Sequence, residues 1–168
     1  MTTIGYIRKP EIKIEIFDCS TSKIPVWNLF KHHHYLTANL NKSARCFLAC
    51  WNGTPVAFES VLALPSGTLK NAWREHRLVV LSDYQGLGIG NRLSEWVGDL
   101  LRSEGKRFFS KTANIKLGLY RDSSPKWRKT SKHKKKLYNK DIVNDVKALF
   151  NAEMYLRRVC FAHEYIGG

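Results

Sequence analysis

The stretch Arg77-Leu-Val-Val-Leu-Ser-Asp-Tyr-Gln-Gly-Leu-Gly-Ile-Gly-Asn-Arg-Leu93 runs from an apolar strand through a glycine turn into an amphipathic helix. Glycines at 86, 88 and 90 let the backbone approach a ligand closely, and their amides, pooled with the positive end of the following helix, suit a pyrophosphate. Leu93, Trp96, Val97, Leu100 and Leu101 fall on one face of a helix expected over 89–104, with Gly105 as its stop. The strand feeding the turn spans Trp73 to Leu81, and another follows the helix from Arg107 to Thr112.

Working outward, Ile12, Ile14 and Ile16 alternate with charged residues and predict a strand over 11–17. Pro25 in a first helical turn opens a short helix towards His34 and Tyr35. Two apolar runs, Arg45 to Trp51 and Pro55 to Leu64, flank Asn52-Gly53, a strong hairpin signal. Beyond Thr112 the pattern predicts a short helix from Ile115 to Tyr120, a turn at Asp122-Ser-Ser-Pro125 and a basic run from Lys126 to Lys136. A helix from Asp141 to Phe150 and a long strand from Tyr155 to Ile166 close the chain. The expected fold class is α+β with a mixed sheet, one domain over 1–168 and a basic insertion at about 121–140.

The charge is unevenly spread. The chain has 168 residues and a net charge of +14, and between Lys106 and Lys140 lie 13 basic residues against a single acid, Asp122. Such a field attracts a polyanion, though it also suits a solvated face. Four cysteines sit mostly in apolar runs; Cys46 and Cys50, about 13 Å apart on a strand, are too far apart to bridge. Buried thiols imply a reducing compartment, and with no signal-like or membrane-length apolar segment a cytoplasmic protein without a membrane partner is expected. His32-His33-His34 invites a metal reading with Cys46 or Cys50, but zinc-type spacing is lacking and no metal is predicted.

The form Gln85-x-x-Gly88-x-Gly90 inside a strand-turn-helix resembles the acyl-CoA signature of the GNAT superfamily of acyltransferases, over roughly residues 11 to 120. The resemblance implies that the strand before the turn splays from the next one. Donor pantetheine would then lie in the gap against backbone groups near Leu78 and Val80. The amides of Gln85, Gly86, Leu87, Gly88, Ile89 and Gly90 would hold the pyrophosphate. Where the family often has a glutamate base, this chain has Arg74, which cannot serve; Glu75 points to the other side of the strand and His76 to the side of Arg74. Either the nucleophile needs no base or His76 supplies it. Tyr120 stands where the family commonly has its acid; Ser110 and Thr112 are weaker candidates near the acyl group, and His34 and Tyr35 complete the expected catalytic set.

The strings His32 to Leu36, Arg74 to Gly90, Phe108 to Thr112, Tyr120 to Trp127 and His163 to Gly167 resemble the Mom-like branch of phage and prophage GNAT proteins. The founding member of that branch converts adenine in phage DNA to a carbamoylmethyl form that blocks restriction. The resemblance implies duplex DNA with a flipped adenine as partner, Tyr35 stacking on the base, and acyl-CoA or an aminoacyl-tRNA such as glycyl-tRNA as donor. It leaves tRNA as a further partner and a homodimer open. Arg121, Lys126, Trp127, Arg128, Lys129, Lys132, Lys134, Lys135 and Lys136 would then follow the phosphates, unless Trp127 is a plug holding the loop to the body. The alternative is an acetyl-CoA-dependent N-acetyltransferase acting on a protein or small-molecule amine.

Overall fold

The hairpin signal at Asn52-Gly53 folds as expected: both residues take positive φ, 50° and 75°, which matches the twist of the two strands they join. These are β2 (Arg45–Trp51) and β3 (Thr54–Ala63), the centre of one half of the sheet. The computed structural model describes residues 12–34, 39–133 and 160–168. Around the hairpin it places β1 (Glu15–Asp18), α1 (Lys23–Phe30), β4 (Ala72–Val80), α2 (Ile89–Ser103), β5 (Arg107–Thr112), α3 (Ile115–Ser123), β6 (Trp127–Lys129) and β7 (Phe161–Tyr165). The fold is α+β: a seven-stranded, mostly antiparallel mixed sheet in the order β1-β2-β3-β4-β5-β7-β6, flanked by helices. Among the described residues no helix is long and apolar enough to cross a membrane.

Each face of the sheet has its own core. On one face α2 buries Ile89, Leu93, Val97 and Leu101, with the 3.6-residue spacing read from the sequence, against Phe47, Val56, Val61 and Phe108. Each such side chain contributes roughly 1.5–3 kcal/mol on burial. On the other face α1 sets Trp27 and Phe30 against Phe58, with Cys46, Leu62 and Val79 around them. Cys19, Cys46, Cys50 and Cys160 are all free thiols; burial pushes Cys19 up to about 11 and Cys46 up to about 12.

Three elements differ from expectation. β1 is short, and Ile14 ahead of it still packs on the α2 side. α3 continues to Ser123, past the expected end at Tyr120, because Asn114 caps it by accepting from the Leu117 amide and Gly118 and Arg121 bury its inner face. The largest difference is β6. Residues 127–129, read as part of a basic run that would follow phosphates, form an edge strand paired with β7 in the register Trp127↔Tyr165 to Lys129↔His163. The residues expected to form the 141–150 helix and the first part of the last strand lie outside the described residues, as do Tyr35, Lys134, Lys135 and Lys136.

A bulge in β4 positions the site. Ser60 of β3 faces Arg77 while Val61 faces Glu75, so His76 is an extra residue in its strand. The bulge reverses the alternation: Trp73 packs on the α2 side before it, Leu78 and Val80 after it. His76 itself leaves the ladder.

Candidate active site

β4 and β5 run parallel and pair only from Ala72–Arg74 to Arg107–Phe109. Beyond Arg74 they separate, and a cleft of about 540 Å³ opens between them. Leu78, Val79 and Val80 line one wall, Lys111 and Thr112 the other, and Asn114 with Lys116 continues that wall at the start of α3. Such a gap leaves a strand edge able to pair with an extended ligand.

The glycine turn closes one end of the cleft. Gly86 and Gly88 have φ of 82° and 79°, and a Cβ added at either would meet no atom within 4 Å, so the backbone here faces open space. Gly88 is the N-cap of α2 and provides no side-chain hydrogen bond, and the first helical turn contains no acid. The leading amides of a 15-residue helix are therefore left without a side-chain partner at the cleft. Gln85 braces the turn, its Nε2 donating to the Val80 carbonyl at 3.0 Å. Gly90 packs the helix onto the strand: a Cβ there would lie 3.1 Å from Val80 Cγ2. Leu87 projects to solvent and Ile89 is buried in the α2 core.

His33, His34 and His76 gather at the other end. Burial, then the charges of Arg77 and Arg74 and the neighbouring His34, bring His76 down to about 4, so its ring is neutral near pH 7. Its Nε2 is buried with no hydrogen-bond partner among the described residues. Burial and Arg77 also lower His34. Arg74 is exposed on β4.

Glu75, next in sequence to His76, also lines the cleft but is held in a buried cluster. Its Oε1 lies 2.9 Å from Arg121 Nη2 and accepts from Ser94 Oγ at 2.9 Å; its Oε2 accepts from Ser110 Oγ at 2.5 Å. Arg121 also donates to Ser94 and Ser110, and its guanidinium lies 4.2 Å from the centre of the Trp127 ring. Burial alone would raise the Glu75 carboxyl, but the charge and hydrogen bonds of Arg121, with the two serines, hold it below the usual carboxylate range. Glu59 on β3 is fully buried with both carboxylate oxygens unpartnered; burial and the charge of Glu75 push it well above that range, which keeps it protonated.

These contacts correct several expected roles. Arg121 was expected on phosphates, yet it is 1% exposed and satisfies Glu75 instead. Trp127 is 6% exposed and wedged against Tyr165, Phe108 and His163, which is the plug rather than the stacking platform. Lys126, Arg128 and Lys129 are paired with Glu95, Glu164 and Asp122; Lys132 is exposed. Ser110 is taken up by the Glu75–Arg121 cluster rather than lying free beside an acyl group. Tyr120, the expected acid, donates its hydroxyl to Glu95 at 2.7 Å and is not among the residues lining the cleft. Sequence reasoning missed Lys111, Asn114 and Lys116 as cleft residues and Ser94, Glu59 and Glu75 as cluster members. Arg121 alone carried a usable signal: it follows Leu117 and Gly118 at helical spacing on the inner face of α3.

The chain resembles known proteins by family and by fold. Residues 12–121 match the acetyltransferase (GNAT) family model. The ribosomal-protein-S18-alanine N-acetyltransferase from Escherichia coli superposes with a TM-score of 0.61 at 16% identity, covering 93% of this chain and 96% of that one. An IAA acetyltransferase from Bacillus cereus ATCC 14579 gives 0.57 at 16% identity, with 91% and 99% covered. A Bacillus subtilis acetyltransferase in complex with CoA gives 0.57 at 12% identity, with 93% and 99% covered. No curated protein matches by sequence. With its family model spanning more than half its length, the chain belongs to the acetyltransferase (GNAT) family, a family of acyltransferase enzymes.

Proposed function

We propose that the protein transfers an acyl group, acetyl in the first instance, from acyl-CoA to the nitrogen of an amine on a protein or small molecule. The observation that carries this reading is the parting of β4 and β5 beyond Arg74, with the uncapped glycine turn at one end of the gap and neutral His76 at the other. The open space beside Gly86 and Gly88 fits a phosphate ligand, and Lys111 and Lys116 add positive charge to the far wall. When bound, acyl-CoA supplies an activated thioester.

The chain's own residues divide the remaining work. The turn amides hold the diphosphate, and the unpaired edge of β4 near Leu78 and Val80 orients the pantetheine arm. In this reading His76, on the wall of the cleft, would accept a proton from the attacking nitrogen as the new N–C bond forms and the thioester C–S bond breaks, CoA leaving as the thiol. A base whose conjugate acid titrates at about 4 cannot strip an alkylammonium, so the amine must arrive neutral. An acceptor of low basicity fits best.

One observation favours a second reading, transfer to the exocyclic amine of adenine in DNA, with glycyl-tRNA as an alternative donor. This is the charge, 28 Lys and Arg against 14 Asp and Glu, in a protein whose neutral histidine suits a weakly basic amine. The burial of Arg121 and Trp127 and the pairing of Lys126, Arg128 and Lys129 weigh against it.

The test is to incubate the full chain with acetyl-CoA and a panel of amines, peptides and duplex DNA, measuring thiol release and the mass of acceptor and nucleosides. Acetylated amine or peptide is expected. Modified adenine with unmodified peptides would replace the first reading by the second, and failure to bind acetyl-CoA in calorimetry would sink the first.

A further inference from the structure

Away from the cleft, three side chains from separate elements converge on one point under the end of α3. Asp122 comes from the last turn of α3, His133 from the segment after β6, and His163 from the middle of β7. His163 Nε2 lies 2.9 Å and His133 Nε2 3.2 Å from Asp122 Oδ1, and the three donor atoms all fall within 4.8 Å of one another. The His163 side chain is fully buried, and those of His133 and Asp122 are 10% and 12% exposed. None of the three lines the acyl cleft.

We propose that Asp122, His133 and His163 form a binding site for a divalent transition metal of the zinc type, which ties the segment after β6 and the end of α3 to β7. Two imidazoles and one carboxylate are a donor set suited to such an ion. Ligands about 2.0–2.2 Å from a tetrahedral metal stand about 3.3–3.6 Å apart, against 2.9 and 3.2 Å from the two imidazoles to Asp122 Oδ1 and a spread of no more than 4.8 Å over the three. His133 Nε2 stands 3.2 Å from Asp122 Oδ1, within ion-pair distance but outside hydrogen-bond geometry, so that oxygen has an imidazole nitrogen on each side. In this structure His163 Nε2 donates to Asp122 Oδ1 at 2.9 Å, so a bound ion would replace that hydrogen bond.

Loading requires each imidazole to free its Nε2: His163 Nε2 donates to Asp122 Oδ1, and that proton moves to Nδ1, which is buried without a hydrogen-bond partner. His133 Nδ1 accepts from the Ala162 amide at 3.3 Å, which places the ring proton on Nε2. Coordination through Nε2 moves that proton to Nδ1 and releases this long bond; no net proton is lost at this ring. Lys129 Nζ, 3.8 Å from Asp122 Oδ1 on a half-exposed side chain, balances the carboxylate when the ion is absent and is free to swing away.

The site cross-links positions distant in sequence. His133 and His163 are 30 residues apart, so a shared ion removes closure entropy from the unfolded chain. The test uses the full chain stripped with a chelator and titrated with Zn(II), and with Co(II) as a spectroscopic probe. One equivalent of Zn(II), a tetrahedral-type Co(II) absorption band and a higher melting temperature with metal are expected. Asp122→Asn and His133→Ala should each weaken Zn(II) binding by at least about tenfold to a hundredfold and remove the Co(II) band. Acetyl-CoA affinity, measured on the same samples, should survive stripping, which separates this inference from the acyltransferase reading. Absence of bound Zn(II) in the wild-type chain, or wild-type affinity in both variants, would overturn the site.

Discussion

The two edges of β5 behave in opposite ways. Towards β4 it pairs over three residues and then parts, leaving an open cleft bordered by an uncapped helix end and neutral His76. Towards β7 it pairs over five residues from Phe108↔Tyr165 to Thr112↔Phe161, with β6 beyond. That flank is filled by Trp127, Tyr165 and Arg121. On one side unsatisfied backbone is left for a ligand; on the other even a guanidinium is buried and fully matched. The difference separates cations that stabilise the fold from groups that can act on a substrate, though both come from a basic chain.

The filled flank can be broken from inside. Arg121→Ala leaves Glu75 as a buried charge without its main partner, and unfolding free energy should fall by about 3–5 kcal/mol in urea titrations. Had Arg121 been a phosphate contact, stability would hardly move. Trp127→Ala opens a hole between Phe108 and Tyr165 and should cost about 3 kcal/mol in the same measurement. A variant with wild-type stability and weakened nucleic-acid binding would reverse the assignment of this ring.

The open side should respond differently. Gly88→Val forces a branched residue into φ of 79°, a strain of about 1–2 kcal/mol, and crowds the turn amides. Calorimetry should show acetyl-CoA affinity reduced about tenfold or more while the fold persists. Unchanged affinity would move the donor away from the turn.

Glu59 gives the smallest expected effect and sharpens the contrast through pH. Burial and the charge of Glu75 hold its folded-state carboxyl well above the ordinary carboxylate range, while the unfolded one titrates within it. The folded state therefore holds the extra proton, and this stabilisation, complete below the unfolded value, is lost as pH rises towards the folded one. Glu59→Gln removes the dependence, so its stability relative to wild type should improve as pH rises from about 5. A constant difference across that range would show that Glu59 is not held as the neutral acid.

What was legible in the sequence was local. The Asn52-Gly53 hairpin, α2 starting at Ile89 and stopping before Gly105, and the glycine turn at 86–90 each rest on neighbouring residues whose backbone preferences fix the geometry. The charge run was legible as charge only. Whether Arg121 or Arg128 faces solvent depends on Glu75 and Glu164, which are 46 and 36 residues away and carry no mark of their partners.

By itself the sequence determined the order of the elements before residue 121, the anion-friendly turn and the basic excess, because periodicity and glycine positions act within a few residues. Only the tertiary structure decided that β4 bulges at His76, that His76 faces the cleft while Glu75 turns to Arg121, and that Trp127 plugs a strand. The same folding brings Asp122, His133 and His163 together. Each of these depends on which distant strand supplies the hydrogen bonds and which distant charge repays desolvation, and those are long-range terms that spacing along the chain does not encode.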